Sequence, residues 1–503
     1  MTSTLPNVTN SFGFFDRDHD QAHDQDGDHL KEECGVFGIL GDADAAAHTV
    51  LGLHALQHRG QEAAGIVSYD GRQFNSHRGM GHVSENFNNE AIMARLPGNM
   101  AVGHTRYATT GATILRNVQP LFAEFDFGGF AIGHNGNLTN ALTLRKELQK
   151  RGCLFQSTSD TEVVTHLIAI SDEGSFEERL VDALRQIEGA YSFVCLTNTA
   201  LIGARDPLGV RPLVLGKLDR SYILCSETCA LDIIGAEFVR NIDPGEVVII
   251  THSEVRSLKP FPKQHPRFCI FEYIYFARPD SVSEGHSVYQ VRKHIGAQLA
   301  KESPVECDVV VPVPDSGVPA ALGFAAQSGI PFEHGIIRNH YVGRTFIQPT
   351  DKTRHLGVKR KHNPNKGVLA GKRVVLVDDS IVRGTTSIKI VEMVRQAGAT
   401  EVHLRISSPP TAHPCFFGID TPDYDKLLAA RHDLESMTKL LGVDSLAFIS
   451  IDGLYKAVGE AKRDTDRPQY CDACFTGDYP LPLTDKNAGS QPKQLSLLNE
   501  EHE

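Results

Sequence analysis

The 503-residue sequence contains no tryptophan, no long apolar run and no excess of basic residues. No stretch reaches the roughly 20 apolar residues of a membrane-spanning helix, so we expect no membrane partner. The net charge of −12 argues against a nucleic-acid-binding protein, because such proteins usually carry a basic balance. Ten cysteines are too few for a disulfide scaffold, and without an export signal we expect them to be reduced in the cytoplasm.

The N-terminal leader, residues 1–33, is rich in Asp and His and lacks the basic start and apolar core of a secretory signal. It is compatible with a disordered acidic tail or with a propeptide that is removed on maturation. Folded-type sequence begins with KEECGVFGIL at residues 31–40, so a cysteine, Cys34, opens the first predicted core strand. The role of this cysteine decides between the two interpretations.

Two regions with different patterns of predicted strands and helices follow the leader. In residues 34–262, short apolar runs such as GGFAIGHNG and GEVVIITHSE are broken by turns and alternate with helical segments, which predicts a layered α/β domain. In residues 263–478, strand, loop and helix alternate, as in CDVVVPVPDSGVPAALGFAAQSG, which predicts a parallel sheet covered on both faces. Residues 479–503 are expected to form a loose C-terminal tail.

The string VVLVDDSIVRGTT, residues 374–386, is the most informative motif of the second region. Asp378 and Asp379 end a predicted buried strand, and a Gly-Thr-Thr loop leads into a helix, an arrangement that suits a phosphate monoester. A strand end with an ordinary helix cap would use the same residue types. The string resembles the signature of the type I phosphoribosyltransferases. That resemblance implies ribose contacts from the two aspartates and 5′-phosphate contacts from Arg383, Gly384, Thr385 and Thr386.

An earlier turn, VPDSG at residues 313–317, stands where that family holds pyrophosphate. The resemblance implies one Mg²⁺ per subunit near Ser316, Asp378 and Asp379, although Asp315 or Gly317 could serve in place of Ser316. Residues 338–366 carry eight Lys or Arg residues and one Asp. This charge run could be a solvated face or a nucleic-acid patch. Its position between two phosphate-facing turns favours a lid over an anionic substrate.

Four motifs of the first region acquire meaning only in combination with Cys34. They are LQHRGQEAAG (56–65), GHTRYATTG (103–111), GHNGNLTN (133–140) and STSDTE (157–162). Separately, each is weak, since a lone cysteine is commonly a small buried hydrophobe and Arg106 could be a surface ion-pair partner. In this order, they resemble the N-terminal-nucleophile glutamine amidotransferases, which implies an αββα fold. The roles implied are nucleophile for Cys34, oxyanion hole for Asn135 and Gly136, and glutamine binding for Arg59, His104, Arg106 and Asp160.

This resemblance also explains the leader. A cysteine thiol with a pKa near 8.5 needs a base at neutral pH. Cleavage between Glu33 and Cys34 would give Cys34 a free α-amine, whose pKa near 8 suits proton transfer. Residues 1–33 are therefore predicted to be a propeptide whose loss creates the catalyst.

Together the two regions resemble the glutamine phosphoribosylpyrophosphate amidotransferases. The resemblance implies that ammonia from glutamine displaces pyrophosphate from phosphoribosyl pyrophosphate and gives 5-phosphoribosylamine for purine synthesis. It further implies feedback by purine nucleotides and a homo-oligomer, such as a homotetramer. Another amidotransferase with the same glutaminase half would have no reason to carry the phosphoribosyl pyrophosphate string. A non-catalytic sensor of this ligand would not need Cys34 behind a leader.

Four cysteines stand at the positions expected of cluster ligands in the family members that have a propeptide. They are Cys269, Cys415, Cys471 and Cys474. The resemblance implies one [4Fe–4S] cluster per subunit with a structural role, while structural Zn²⁺ is the alternative, because four thiolates also satisfy tetrahedral zinc. The other cysteines are interpreted as buried hydrophobes: residues 153, 195, 225, 229 and 307.

Overall fold

The computed structural model describes residues 34–107, 114–339, 362–421 and 423–487. The predicted propeptide, residues 340–361 of the predicted lid and residues 488–503 of the tail lie outside these ranges. In the part of the chain described, no helix is long and apolar enough to cross a membrane.

Two antiparallel sheets form the first half. Their strands are β1 Gly35–Leu40, β2 Ala63–Tyr69, β3 Phe74–Met80, β4 Met100–Arg106, β5 Leu121–Phe125, β6 Gly128–Leu138, β7 Gly189–Thr197, β8 Leu201–Arg205, β9 Val214–Leu218, β10 Ser221–Cys225, β11 Glu237–Asn241, β12 Val247–Ile250 and β13 Val255–Leu258. The seven-stranded sheet has the order β11-β9-β10-β1-β4-β2-β3, and the six-stranded sheet has the order β13-β12-β8-β7-β6-β5.

The two sheets stack face to face because alternate side chains of their central strands are apolar. Val36 and Val102 of the first sheet pack with Val194 and Val248 of the second. Helices cover the outer faces: α1 Ala45–Ala55, α2 Val83–Asn86, α3 Glu90–Met93 and α7 Cys229–Asp232 lie on the side of the first sheet, and α4 Ala141–Lys150, α5 Thr161–Ile170 and α6 Phe176–Gln186 on the side of the second. The predicted αββα arrangement is confirmed.

A parallel sheet forms the centre of the second half, in the order β17-β20-β21-β22. Its strands are β17 Val309–Pro312, β20 Arg373–Asp378, β21 Glu401–Ile406 and β22 Ser445–Phe448. Val310 and Val375 face one core and Val311 and Leu376 face another, so the sheet is buried on both sides. The predicted parallel sheet is therefore confirmed.

Helices and short strand pairs surround this sheet. The helices are α8 Val288–Glu302, α9 Val318–Ser328, α10 Lys366–Leu369, α11 Thr385–Gln396, α12 Leu428–Arg431, α13 Leu434–Leu441, α14 Ile451–Ala457, α15 Ala473–Thr476 and α16 Thr484–Asn487. The strand pairs are β14 Phe268–Cys269 with β23 Tyr470–Cys471, β15 Val282–Ser283 with β16 His286–Ser287, and β18 Ile336–Arg338 with β19 His362–Pro364. A π-helical turn, Glu272–Phe276, follows β14.

The start of the C-terminal stretch is attached to the first half, which differs from the expected loose tail. The carboxylate of Asp485 accepts hydrogen bonds from the backbone N–H groups of Leu142 and Thr143, at 2.8 and 2.9 Å. These groups belong to the first turn of α4, whose amides need acceptors. Asp485 therefore caps a helix of the other half of the molecule.

Candidate active sites

Cys34 lies directly before β1 and is buried. Antiparallel pairing sets Gly35 opposite Thr105, so the nucleophile candidate lies beside Arg106 at the end of β4. The thiol donates a hydrogen bond to the carbonyl of Tyr107 at 3.4 Å. Burial raises the pKa of Cys34 to about 11, even though Arg106 and the Tyr107 contact act in the opposite direction. In this environment the sulfur is a protonated thiol at neutral pH and needs a base.

Asp160 supplies a fixed negative charge in the same pocket. It precedes α5 and accepts the backbone N–H of Thr161 at 2.8 Å and that of Leu138 at 3.0 Å. Burial raises the pKa of Asp160, but His134 and these hydrogen bonds outweigh burial and lower the pKa to about 2. The carboxylate is therefore ionised at neutral pH and suits an α-ammonium group.

Asn135 and Gly136 lie on β6, in the sheet that stacks against β1 and β4. The Asn135 side chain is fully buried, and neither of its polar atoms has a hydrogen-bond partner within the residues described. Buried amides are normally paired, so this side chain is suited to a ligand. Gly136 has a φ of +138°, and a Cβ there would stand 2.0 Å from the Ala190 carbonyl oxygen. Only glycine fits at that position.

His104 and Arg59, which the sequence predicted to bind glutamine, are both buried and contact other protein groups. Burial lowers the pKa of His104 to about 3, and its neutral Nε2 lies 3.0 Å from the carbonyl of His134, the residue before Asn135. Arg59 is buried and is held by the carboxylates of Glu227 and Glu272. His104 thus contacts the strand that carries Asn135, whereas Arg59 lies in an ion cluster with two carboxylates.

Sequence reasoning missed the ion cluster around Arg59, which joins the two halves of the molecule. Arg211 Nη1 lies 3.4 Å from Glu272 Oε1, and Arg59 Nη1 lies 3.3 Å from the same oxygen. Burial raises the pKa of Glu227, but Arg59 and His58 outweigh burial and hold the pKa well below its ordinary value. One signal was available: Glu272 is the only acidic residue in the apolar run FCIFEYIYF, and such a carboxylate needs a buried cation.

The second site lies at the carboxyl end of β20, where parallel sheets place ligands. Asp378 and Asp379 are buried there, and the Asp379 N–H donates to Asp378 Oδ1 at 2.9 Å. The hydroxyl of Ser380 donates to Asp379 Oδ1 at 2.6 Å, and that of Ser316 donates to Asp379 Oδ2. The structure therefore brings the predicted Ser316 to the aspartate pair.

The loop that follows leads into α11. Gly384 is the N-cap residue, with a φ of +83°, and α11 has no side-chain cap. Arg383 and Thr385 are exposed, whereas Thr386 is buried. Glycine has no side chain that could accept a hydrogen bond from the first N–H groups of the helix. A bound anion can accept these hydrogen bonds instead, as phosphate does in phosphate-binding loops. The arrangement fits a phosphate better than the alternative of an ordinary side-chain cap.

Four thiols converge from three segments on one side of the second half. β14 pairs with β23, with Cys269 opposite Cys471, and the backbone N–H of His413 donates to the Cys474 carbonyl at 3.0 Å, which brings the Cys415 segment alongside. Burial raises the pKa of Cys269 to about 11, and neighbouring thiols contribute to raising those of Cys471 and Cys474. All ten cysteines of the chain are free thiols. Within the described ranges, no three His, Cys, Asp or Glu side chains are grouped closely enough to hold a metal ion.

Two family models match the chain. A glutamine amidotransferase domain matches residues 104–232, and a phosphoribosyl transferase domain matches residues 280–407. The first match includes Arg106, Asn135 and Asp160 but neither Cys34 nor Arg59, and the second includes Ser316 and residues 378–386.

Curated relatives match nearly the whole chain. The amidophosphoribosyltransferase of Rhizobium etli is 62% identical over 479 residues, which cover 94% of this chain and 97% of the relative. The chloroplastic amidophosphoribosyltransferase 1 of Arabidopsis thaliana is 51% identical, with coverage of 96% and 84%. The amidophosphoribosyltransferase of Bacillus subtilis is 49% identical, with coverage of 90% and 95%.

Solved structures agree with these relatives. One, described as the allosteric regulatory enzyme of purine biosynthesis, has a TM-score of 0.86 and 48% identity, covering 90% of this chain and 97% of the other. The glutamine phosphoribosylpyrophosphate amidotransferase from B. subtilis, complexed with ADP and GMP, has a TM-score of 0.85 and 48% identity, with coverage of 90% and 98%. The chain therefore belongs to the amidophosphoribosyltransferases, which carry out the first step of purine biosynthesis.

Proposed function

We propose that Cys34 is the nucleophile that releases ammonia from glutamine, and that its own α-amine is the base once residues 1–33 are removed. The observation that carries this proposal is the convergence of Cys34, Arg106 and Asp160 in one buried pocket. Because burial raises the pKa of the thiol to about 11, the sulfur needs a base close by. The amine of the same residue is the nearest group that can supply one.

In this mechanism Arg106 binds the α-carboxylate of glutamine and Asp160 binds its α-ammonium group. The thiol proton passes to the α-amine while sulfur attacks the side-chain carbonyl. The negative charge that develops on the carbonyl oxygen is received by the Asn135 amide and the Gly136 N–H. Collapse of this intermediate expels ammonia, which takes the proton, and water then hydrolyses the thioester to glutamate.

The second site binds phosphoribosyl pyrophosphate. Asp378 and Asp379 bind the ribose hydroxyls, and residues 383–386 bind the 5′-phosphate. Ammonia attacks C1 and pyrophosphate leaves, which gives 5-phosphoribosylamine. Buried carboxylates and a hydroxyl are donors that Mg²⁺ accepts, and Ser316, Asp378 and Asp379 would hold it. Mg²⁺ would neutralise charge on the leaving pyrophosphate. Residues 338–366 are proposed to close over this site and exclude water.

Cys269, Cys415, Cys471 and Cys474 are proposed to hold a [4Fe–4S] cluster. Four thiolates are the ligand set of such a cluster, and they also satisfy tetrahedral zinc, which is the alternative. The pairing of Cys269 with Cys471 and the hydrogen bond from His413 to the Cys474 carbonyl support a shared site. The role proposed for the cluster is to join the end of the chain to the start of the second half.

Regulation, assembly and location complete the proposal. Binding of ADP and GMP by the B. subtilis structure supports feedback by purine nucleotides. We also propose a homo-oligomer, such as a homotetramer, and a cytoplasmic location, which ten unpaired cysteines favour. The domain boundaries proposed are residues 34–262 and 263–478.

The deciding experiment measures pyrophosphate release by wild type and Cys34→Ala with glutamine or with ammonium salt. The variant should lose glutamine-dependent turnover and keep ammonia-dependent turnover within about twofold, because only the first needs the thiol. Cys195→Ala, at a buried cysteine that the mechanism does not use, is the matched control. Full glutamine-dependent activity in Cys34→Ala, or in a chain with residue 33 still attached, would refute the assignment.

A further inference from the structure

The loop after β21, residues 407–420, is irregular but largely buried. Phe417 is 1% exposed and Ile419 is 4% exposed. Loops usually run over the surface, because a buried loop must find partners for its own backbone groups. Two of these partners come from the glutaminase half. The Asn137 amide donates to the Phe416 carbonyl at 2.9 Å, and Arg211 Nε donates to the Phe417 carbonyl at 2.8 Å.

Gly418 of this loop lies directly against Gly136. A Cβ on Gly418 would stand 2.9 Å from the Gly136 Cα and 3.0 Å from its carbonyl carbon. The φ of Gly418 is +114°, so a side chain would also strain the backbone. On another side of Gly136 lies the carbonyl of Ala190, where a Cβ would come to 2.0 Å. The Gly136 Cα, which ends the peptide plane that carries the Gly136 N–H, is therefore held between its own sheet and a loop of the other half.

The direction of an oxyanion-hole N–H depends on the orientation of its peptide plane. An error of a few tenths of an ångström matters, because the donor must meet an oxygen that moves during the reaction. Gly136 has no side chain to fix its peptide, and its neighbour Asn137 is tied to the Phe416 carbonyl. The 416–418 loop thus contacts the Gly136–Asn137 stretch at two successive residues.

We propose that residues 416–418 position the oxyanion hole, so that the glutaminase site is completed by the phosphoribosyltransferase half. This inference rests on the proposed role of Asn135 and Gly136. Gly418 and Asn137 are positioning residues, because they act through Gly136 and do not touch glutamine. Ammonia is released efficiently only when the half that consumes it is packed in place.

The first test is Gly418→Ala, with Gly152→Ala as the matched control. Gly152 has a φ of +92°, close to that of Gly418, but a Cβ there would meet nothing within 4 Å. The control therefore carries a comparable backbone strain without the contact. For Gly418→Ala, glutamine-dependent kcat should fall by roughly 10²-fold, as for loss of one oxyanion-hole donor. The KM for glutamine and ammonia-dependent turnover should change by less than about threefold, because the Arg106 and Asp160 contacts and the second site are untouched. Gly152→Ala should retain both activities.

The second test removes the hydrogen bond without adding strain. Asn137→Ala deletes the donor to the Phe416 carbonyl, and Asn140→Ala is its control. Asn140 donates to the Gln186 carbonyl at 3.0 Å and accepts from the Glu188 N–H at 2.9 Å, so its loss removes a comparable bond and one more, all within the glutaminase half. Asn137→Ala should lower glutamine-dependent kcat by about tenfold, the equivalent of one hydrogen bond, with little change in KM. This variant decides the question alone if Gly418→Ala does not fold.

Two outcomes overturn the inference. In one, Gly418→Ala and Asn137→Ala keep full glutamine-dependent kcat. In the other, both activities fall in parallel in these variants, which would mean a purely structural contact. Asn135→Ala separates this inference from the proposed function. If Asn135→Ala keeps glutamine turnover, the oxyanion-hole assignment itself fails. If it loses turnover while the two loop variants do not, only the positioning role fails.

Discussion

The two candidate sites of this molecule are built in opposite ways. The glutaminase site is assembled from side chains far apart in the sequence, buried between two sheets, and backed by ion pairs and a loop from the other half. The phosphoribosyl pyrophosphate site is built largely from one continuous string at the end of one strand, and Arg383 and Thr385 are exposed in it. The first site is buried, whereas the described part of the second site includes exposed side chains.

This difference follows from what each site must handle. An oxyanion hole works by fixed dipoles, so rigidity is required before substrate arrives. A sugar with a 5′-phosphate and a 1-pyrophosphate is large and charged, so it is bound by loop amides and polar side chains at the end of a strand. The contrast predicts that substitutions in the first site separate the two activities, whereas substitutions in the second site remove both.

The largest effect is expected for Asp379→Asn. This buried carboxylate accepts hydrogen bonds from two hydroxyls and is proposed to bind ribose and Mg²⁺. Glutamine-dependent and ammonia-dependent synthesis should fall together by on the order of 10³-fold, the upper end for one lost electrostatic contact. Pyrophosphate release measures both. Asp308→Asn, at the opposite end of the parallel sheet, should leave both rates unchanged. If Asp379→Asn lost only one of the two activities, the proposed difference between substitutions in the two sites would be wrong.

An intermediate effect is expected for Arg106→Met. Loss of a charge-assisted hydrogen bond to the α-carboxylate should raise the KM for glutamine by about 10- to 100-fold. Ammonia-dependent turnover should not change. Arg78→Met is the control, because Arg78 and Arg106 donate to the adjacent carbonyls of Val118 and Asn117. Initial rates over a glutamine series decide the matter, and an unaltered KM would remove Arg106 from the substrate site.

The smallest effect concerns the pH dependence of stability through Asp160. The pKa of about 2 lies below the ordinary aspartate value, so ionisation of this group stabilises the folded state above about pH 4. This contribution, about 2 kcal/mol at most, is lost as the pH falls towards 2. Thermal unfolding of wild type and Asp160→Asn between pH 3 and 6 should therefore show a difference that shrinks with acidity. A stability difference between the two proteins that is constant or grows towards pH 3 would contradict the lowered pKa of Asp160.

The second site was easier to predict from the sequence than the first, because its residues are close together in the chain. Asp378, Asp379 and Gly384 belong to one strand–loop–helix unit, so local chemistry alone placed them together. Arg59 was predicted as a pocket residue, but its partner Glu272 lies more than 200 positions away, and no local pattern links the two.

The contacts between the two halves could not be predicted at all. Gly418 follows a cysteine motif and reads as a turn glycine, and its contact with Gly136 exists only after both halves have folded. Asp485 was likewise read as part of a tail, because its role is to cap a helix that begins more than 340 positions earlier.

The position of the 416–418 loop along the chain has a consequence for biosynthesis. Domains generally fold from the N-terminus during translation, so both sheets of the first half can form while the remainder is still being made. Gly418 is synthesised more than 280 residues after Gly136, and Cys474, whose carbonyl anchors the same loop at His413, comes later still. If residues 416–418 position the oxyanion hole as proposed, a ribosome-bound nascent chain carries a folded glutaminase scaffold whose active centre is still incomplete. Ammonia release is then withheld until the polypeptide is almost complete.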